Sequence, residues 1–237
     1  MKGQILSVLV SFIFFPNHFT EKNNPAPAKE NMEAVHTTIN YAELVYNDLH
    51  LATIGLSENA FEYAYKGYQY LLKKEKLNNP GVLSICDLSQ SSGKKRFYIL
   101  DLANEKVLMT SYVAHGKGSG SEYATHFSNK ANSHQSSLGF YVTGSTYYGE
   151  HGLSLKLKGL ETGFNDHAVN RNIVVHGAGY IGNNYLDGNK VMGRSYGCPA
   201  VPQKESGEII NLIKDGTCLF VYHPTKTYLH KSKILND

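Results

Sequence analysis

From residue 82 onward, the chain is a succession of short apolar runs separated by Gly, Ser or Asn. The β-prone runs span 83–86, 96–102, 107–114, 140–142, 153–157, 173–175 and 218–222. Short runs bounded by turn residues are typical of strands. The 22 glycines among 237 residues fit the strained turns that such a fold needs. The sequence therefore predicts a β-rich body of about 150 residues, the size of one domain.

The part of the chain before residue 82 has a helical rhythm instead. Apolar residues recur at helical spacing over 32–76, and Ser57 followed by Glu58 marks the start of a second helix. A further helix is predicted over 205–213. We therefore expect a mainly β fold with added helices (α+β). The predicted division is 32–80 for a small helical part, 81–223 for the β-rich domain and 224–237 for a C-terminal tail.

The first residues indicate export. Lys2 precedes an apolar run, 5–15, that is shorter than the roughly 20 residues of a spanning helix. A charged start before a short apolar core is typical of a secretory signal, and a buried N-terminal strand or helix is the alternative. We expect a signal peptide or anchor over 1–20, a Pro/Ala-rich linker over 21–31, and a protein that is secreted or located in the periplasm or cell envelope.

The net charge and the distribution of the basic residues indicate which partners the chain can bind. The 23 basic and 20 acidic residues leave a formal net charge of +3, and the basic residues are scattered. Because binding to nucleic acid by counterion release needs a concentrated basic face, we expect no nucleic-acid partner. Contact with a membrane is expected only through an uncleaved N-terminal segment.

The three cysteines, Cys86, Cys198 and Cys218, leave at least one thiol unpaired. Cys86 and Cys218 lie in apolar runs, so they are either buried structural thiols or a disulfide pair. Histidines are frequent, but they lack the close spacing of zinc ligands, and we expect neither a metal nor another cofactor. The histidines considered for zinc are His115, His126, His134, His151 and His167.

One His and one Cys carry the strongest chemical signal. A β-prone run delivers His176-Gly177 to a loop edge, and the Gly-rich stretch 193–199 presents Cys198. A thiol becomes a useful nucleophile beside a base, and His supplies one. The backbone amides of Gly197 and Cys198 are candidates to face a developing oxyanion. Taken alone, this spacing is also compatible with a structural pair of buried residues.

The wider pattern around these residues resembles a known family. His176-Gly177 followed by Ser195-x-Gly197-Cys198 resembles the L,D-transpeptidase (YkuD-type) signature, in the divergent branch in which Pro-Ala follows the Cys. The resemblance extends from about Tyr46 to Tyr222. Its supporting segments are 96–101, 113–120, 136–141, 171–177 and 193–199. It implies a YkuD-like β-rich catalytic domain preceded by a small helical part.

The resemblance assigns roles by position. It implies that Cys198 is the nucleophile, that His176 is its general base, and that the Gly177 carbonyl orients the imidazole. Two departures affect the loop, because Tyr196 stands where the common form has His, and Pro199 and the residues after it replace an Arg and an Asn. Arg194 is then a candidate to hold a substrate carboxylate. The predicted substrate-binding residues are Arg194, Ser195, Tyr196, Tyr180 and His134; surface packing is the alternative for Tyr180, and a solvent-exposed histidine is the alternative for His134.

The reaction implied by the resemblance is acyl transfer on peptidoglycan stem peptides. The Cys198 thiolate attacks the carbonyl at the L-centre of the third residue of a tetrapeptide stem, and the terminal D-Ala leaves. An amine of a second stem then forms a 3→3 cross-link. If water takes the place of the amine, the enzyme is an L,D-carboxypeptidase. A non-catalytic module that binds the cell wall is the alternative from another class.

Overall fold

The computed structural model of the chain describes residues 40–187 and 191–237. The predicted signal or anchor and the predicted linker lie outside the described residues. In the part that is described, no helix is long and apolar enough to cross a membrane.

The N-terminal helices begin at capping residues that the sequence provides. Helix α1 (Tyr41–Asp48) starts after Asn40, whose side chain accepts hydrogen bonds from the N–H groups of the first turn. A turn of 3₁₀ helix (Leu51–Ile54) leads to helix α2 (Glu58–Lys73). Ser57 caps α2 by accepting from the Ala60 N–H, which confirms the predicted start of this helix.

Eight strands form one mixed sheet in the order β3-β2-β1-β8-β4-β5-β6-β7. The strands are β1 (Val82–Asp87), β2 (Phe97–Asp101), β3 (Lys106–Ser111), β4 (Gly139–Gly149), β5 (Gly152–Gly159), β6 (Val174–Ala178), β7 (Ala200–Pro202) and β8 (Cys218–Tyr222). The pairs β1–β8 and β6–β7 are parallel, and the other neighbours are antiparallel. The mainly β fold with added helices is therefore confirmed.

The two edges of the sheet approach each other at the segment that contains Cys198. We call residues 193–199 the Cys loop. After β3, the chain continues past Ala114, whose N–H donates to the Ala200 carbonyl at 2.8 Å in β7. Gly116 forms a parallel bridge with Ser195. These bonds give the sheet a barrel-like closure and hold the Cys loop between its two ends.

Helices cover the sheet and share its core. Besides α1 and α2, these are α3 (Asn183–Leu186), α4 (Ser206–Ile213), α5 (Lys226–Lys231) and α6 (Lys233–Asn236). One hydrophobic cluster extends from Ala42 in α1 to Leu235 in α6. The segment predicted as a C-terminal tail thus contains two short helices, and the predicted domain boundaries stay a prediction.

A buried carboxylate ties α5 and α6 to the sheet. Glu161 accepts from the Phe140 N–H and the Tyr228 hydroxyl, both at 2.8 Å, and from the Ser232 hydroxyl. Burial raises the pKa of this carboxyl, while the three donors act against the rise.

Cys86 and Cys218 are buried and free. In the register of β1 and β8, Cys86 lies opposite Val221 and Cys218 lies opposite Leu83, so the two thiols are not partners. The sequence is compatible with a disulfide between Cys86 and Cys218, but the structure shows two free thiols in the core.

Candidate active site

Strand β6 places His176 in the interior of the sheet, where 2% of its surface is exposed. Its Nδ1 lies 2.9 Å from the Gly177 carbonyl oxygen. A carbonyl only accepts, so Nδ1 carries the proton and Nε2 has the free lone pair. Burial lowers the pKa of His176, the Gly177 carbonyl opposes this, and His151 adds to the lowering. The imidazole is thus held as a neutral base.

Ser195 organises the Cys loop from its inside. Its backbone N–H donates to the His115 carbonyl at 3.1 Å, and its carbonyl accepts from the Lys117 N–H at 2.8 Å. Its hydroxyl donates to the Cys198 carbonyl at 2.6 Å and accepts from the Gly197 N–H at 3.0 Å. Ser195 is buried, and its side chain holds the shape of the loop, while its predicted contact with a substrate stays a prediction.

The Gly197 amide, predicted to face an oxyanion, is therefore already engaged with the Ser195 hydroxyl. The Cys198 N–H has no hydrogen-bond partner among residues 40–187 and 191–237. Like the Arg194 and Tyr196 N–H groups of the same loop, the Cys198 N–H is therefore free, within the described part of the chain, to receive a ligand.

Cys198 is partly exposed, and its thiol donates to the Asn172 carbonyl at 3.6 Å. Burial of the sulfur raises the pKa of the thiol, while the Val174 N–H and the Arg171 guanidinium lower it. The resting group is thus a thiol that needs a base to ionise.

The pairing of β6 and β7 relates the position of Cys198 to that of His176. In the parallel register of β6 and β7, His176 is opposite Ala200, which places Cys198 level with Val174. Val174 and His176 are two residues apart, so their side chains point to the same face, roughly 6–7 Å apart along the strand. The register places the predicted nucleophile beside the strand that carries the predicted base, and no hydrogen bond joins the two side chains in the described part of the chain.

Arg171 is a site residue that the sequence marks only as the first residue of the segment 171–177. Its guanidinium donates to the Ser128 carbonyl at 2.7 Å and to the Gln135 carbonyl at 2.6 Å, and also to the Ser137 hydroxyl. No carboxylate pairs with it within the described residues. Its positive charge therefore acts on Cys198 without compensation from an ion pair.

Arg194, near the start of the Cys loop, contacts the glycine-rich loop that follows β3. It is exposed and donates to the Gly120 carbonyl at 3.1 Å. Among the arginines, Arg171 is the one whose charge lowers the pKa of Cys198. The prediction that Arg194 holds a substrate carboxylate stays a prediction.

The remaining predicted substrate residues lie around the Cys loop. Tyr196 is 67% exposed, with the Lys117 Nζ 4.2 Å from its ring centroid and the His134 ring centroid at 4.5 Å. Tyr180 is partly buried, and its backbone carbonyl accepts from the Gly193 N–H at 3.0 Å. Burial raises the pKa of Tyr180, and Cys198 and Tyr196 add to the rise. Tyr196 and His134 thus form one wall beside the nucleophile.

Two open clefts meet at Asn172, the residue whose carbonyl accepts the thiol. The hairpin cleft, with a volume of 580 Å³, is lined by Tyr147, Lys156, Val169, Asn172 and Val174 among others. The Tyr196 cleft, with a volume of 810 Å³, is lined by Asn132, His134, Arg171, Asn172 and Tyr196 among others. The thiol of Cys198 therefore contacts the residue that the two clefts share.

His151 was considered at first only as a metal ligand. Its ring stacks on that of His176, with centroids 4.2 Å apart. In the described ranges, no three His, Cys, Asp or Glu side chains are grouped so that they could hold a metal ion. No local pattern in the sequence signals the stacking, because it depends on how the β4–β5 hairpin folds over β6.

Several solved structures are similar to the chain. An L,D-transpeptidase from Mycobacterium smegmatis is 12% identical, with a TM-score of 0.37 over 60% of this chain and 59% of that one. The L,D-transpeptidase from Xylanimonas cellulosilytica is 15% identical, with a TM-score of 0.35 over 76% and 93%. That from Stackebrandtia nassauensis is 13% identical, with a TM-score of 0.36 over 78% and 91%.

The chain thus spans 59% of the length of the Mycobacterium smegmatis structure. At these low TM-scores, the fold assignment rests on the strand pairing described above. No curated protein matches the sequence.

The match to a family model covers α2 and all the strands of the sheet. The L,D-transpeptidase catalytic domain model matches residues 52–222, a span that contains His176, the Cys loop and seven-tenths of the chain. The chain therefore belongs to the L,D-transpeptidase catalytic domain family, a family of peptidoglycan-modifying enzymes.

Proposed function

We propose that the protein is an exported L,D-transpeptidase that cross-links peptidoglycan stem peptides through a thioester on Cys198. The observation that carries the proposal is the placement of Cys198. It lies beside β6, the strand that carries the buried His176, and its thiol contacts Asn172, the residue that two clefts share. A nucleophile, a base and two binding surfaces are what a two-substrate acyl transfer requires.

In the first step, the thiol turns from the Asn172 carbonyl, and its proton passes to Nε2 of His176. The thiolate attacks the carbonyl at the L-centre of the third residue of a tetrapeptide stem. The oxyanion that develops is stabilised by the Cys198 N–H. When the peptide C–N bond breaks, His176 returns the proton to the leaving amine, D-Ala departs, and a thioester remains.

In the second step, an amine of a neighbouring stem attacks the thioester carbonyl. His176 takes a proton from this amine, the C–S bond breaks, and the Cys198 thiolate is released with a 3→3 cross-link in the product. In this proposal, one of the two clefts receives the acyl donor and the other receives the acceptor. With water as the acceptor, the same site acts as an L,D-carboxypeptidase.

The charge of Arg171 also supports the proposal that Cys198 is the nucleophile. A half-buried guanidinium without a carboxylate partner favours the thiolate over the thiol. The cell envelope is the proposed location, because its substrate is there and because Lys2 and the apolar run 5–15 are typical of an export signal.

The test is to incubate the full-length protein with a disaccharide-tetrapeptide and to identify the products by mass spectrometry. A dimer lacking one D-Ala, absent with Cys198→Ala, is the expected result. A monomer that has exchanged D-Ala for water would make the protein a carboxypeptidase. Binding of the stem without any Cys198-dependent product would favour a cell-wall binding module and contradict the proposal.

A further inference from the structure

The turn between β4 and β5 carries a histidine onto the face of the proposed general base. His151 is exposed to solvent, whereas His176 is buried. Their rings stack with centroids 4.2 Å apart and planes inclined by 20°. We propose that His151 is a positioning residue, which holds the His176 imidazole so that Nε2 meets the thiol of Cys198. This inference rests on the proposed function of the site.

Two contacts are needed to fix an imidazole, and the structure provides both. The Nδ1–H···O bond to Gly177 sets the direction of the ring edge and the tautomer. A hydrogen bond along one edge still permits the ring to tilt about that bond. The stacked ring of His151 opposes this tilt, so together the two contacts hold Nε2 in one place.

The other neighbours of His176 do not provide a flat surface against which the imidazole could stack. In the sheet, His176 is opposite Ser154 on β5 and Ala200 on β7, which are both small. Within the described residues, His151 is the only aromatic ring stacked on it. Removing the His151 ring would therefore open the face of the base to water and free it to move.

The charge of His151 acts on His176 in a direction that suits a base. Burial is the main cause that lowers the pKa of His176, the Gly177 carbonyl opposes it, and His151 adds to the lowering. No other charged side chain in the described ranges contributes to this shift. Helix α4 approaches the adjacent Gly177 with the uncharged Ser206, beside Gln203. Lys156 on β5 lies opposite Val174, and Glu150 in the turn is exposed.

The experiment compares His151→Ala and His151→Phe with Glu150→Ala, a matched change in the same turn that leaves the stacking intact. Cleavage of the tetrapeptide stem gives kcat and KM. We expect His151→Ala to lower kcat by roughly tenfold, part of the 10²–10⁴ that general-base catalysis supplies, with KM nearly unchanged. His151→Phe restores most of kcat because it restores the stacked ring, and Glu150→Ala behaves as wild type.

A second readout needs no substrate and so separates this inference from the proposed function. The pH dependence of Cys198 alkylation by iodoacetamide and the NMR titration of the His176 Cε1–H are measured in each variant. With His151→Phe, the pKa of His176 moves upward, because the opposing charge is gone and the cover remains. This shift in a protein that turns over no stem peptide would show that His151 acts on His176 in solution and would contradict the transpeptidase proposal.

Two results would overturn the inference. One is a His151→Ala variant with wild-type kcat and an unchanged His176 titration. The other is an equal loss of kcat in His151→Phe and His151→Ala, since stacking would then not be what His151 provides.

Discussion

At the scale of single residues, the shape of the Cys loop depends on Gly197. Its φ of 124° lies in the region that favours glycine. A Cβ at this position would come within 2.7 Å of the Gln135 carbonyl oxygen and 3.2 Å of the Arg171 guanidinium. The residue before the nucleophile is thus fixed both by its own backbone and by the lack of space around it.

Gly197→Ala should therefore abolish turnover of the stem peptide and destabilise the protein by about 1–3 kcal/mol, the usual cost of a strained backbone conformation. Gly179→Ala is the matched control, because Gly179 has no positive φ and a Cβ there meets nothing within 4 Å. Product analysis and thermal unfolding measure the two effects. Wild-type turnover in Gly197→Ala would show that the loop tolerates a side chain.

Arg171 offers a test of the electrostatics of the thiol. Because its charge lowers the pKa of Cys198, we expect Arg171→Gln to shift the pH profile of Cys198 alkylation to higher pH. Arg171→Lys keeps the charge and loses the hydrogen-bonding fork, so it should destabilise the fold while leaving the profile nearly in place. If Lys and Gln shift the profile equally, the hydrogen bonds of Arg171, rather than its charge, govern the thiol.

Some residues of the site can be predicted from a short sequence motif, and others depend on long-range contacts. The sequence places His176, Gly177 and Cys198 because each lies in a short motif next to a strand end. Arg171 and His151 act through contacts with segments that are distant in the sequence. The residues next to them in the sequence do not predict those contacts. The Gly197 amide donates to the Ser195 hydroxyl, and the sequence alone does not predict this contact.

At the scale of elements, α2 packs on the sheet through a glycine. Gly67 is buried in the middle of α2, and a Cβ there would lie 1.9 Å from the Phe140 ring on β4. Phe140 itself stacks on Phe220 of β8, with centroids 4.1 Å apart. The helix therefore approaches the sheet more closely than any larger residue would permit.

Gly67→Ala should destabilise the protein by about 1–3 kcal/mol, because overpacking exceeds the gain of up to about 1 kcal/mol in helix propensity. Gly207→Ala in α4 is the control, since a Cβ there meets nothing within 4 Å and only the propensity gain applies. Urea unfolding measures both variants. Equal stabilisation of the two would show that α2 shifts freely on the sheet.

The elements also show where sequence patterns stop being informative. The predicted strands are present in the structure because short apolar runs bounded by turn residues rarely form any other element. Strand β4 continues past the predicted 140–142 to Gly149, because Gly144 and its polar neighbours form an irregularity in the strand rather than a turn. The three-residue strand β7 was not predicted, since it ends in Pro202, which is tolerated there because β7 is an edge strand.

At the scale of the whole molecule, closure of the sheet depends on a buried cation and a neutral histidine. Arg96 is fully buried and donates to the Val113 carbonyl, the Gln90 carbonyl and Nδ1 of His115. Because Arg only donates, Nδ1 accepts and Nε2–H faces the Gly120 carbonyl at 3.3 Å. Burial, followed by the charge of Arg96, lowers the pKa of His115 to about 4. The segment that supports the Cys loop is thus built around an uncharged imidazole.

This arrangement makes stability depend on pH. An unfolded chain protonates His115 near its ordinary pKa of about 6.5, whereas the folded protein resists protonation down to about 4. The unfolded state therefore binds more protons between these values, and stability falls as the pH is lowered through them, by at most about 3 kcal/mol. Burial lowers the pKa of His176 and His223 in the same direction, while the raised pKa of Glu161 acts in the opposite one.

His115→Gln tests the origin of that slope, since an amide accepts from Arg96 and donates to Gly120 without titrating. We expect the melting temperature of the wild type to fall between about pH 7 and pH 4.5, and the fall to be clearly smaller in His115→Gln. The exposed His126→Gln should follow the wild type. A wild-type slope in His115→Gln would place the acid sensitivity in the other buried histidines, and the closure of the sheet would then not depend on keeping His115 neutral.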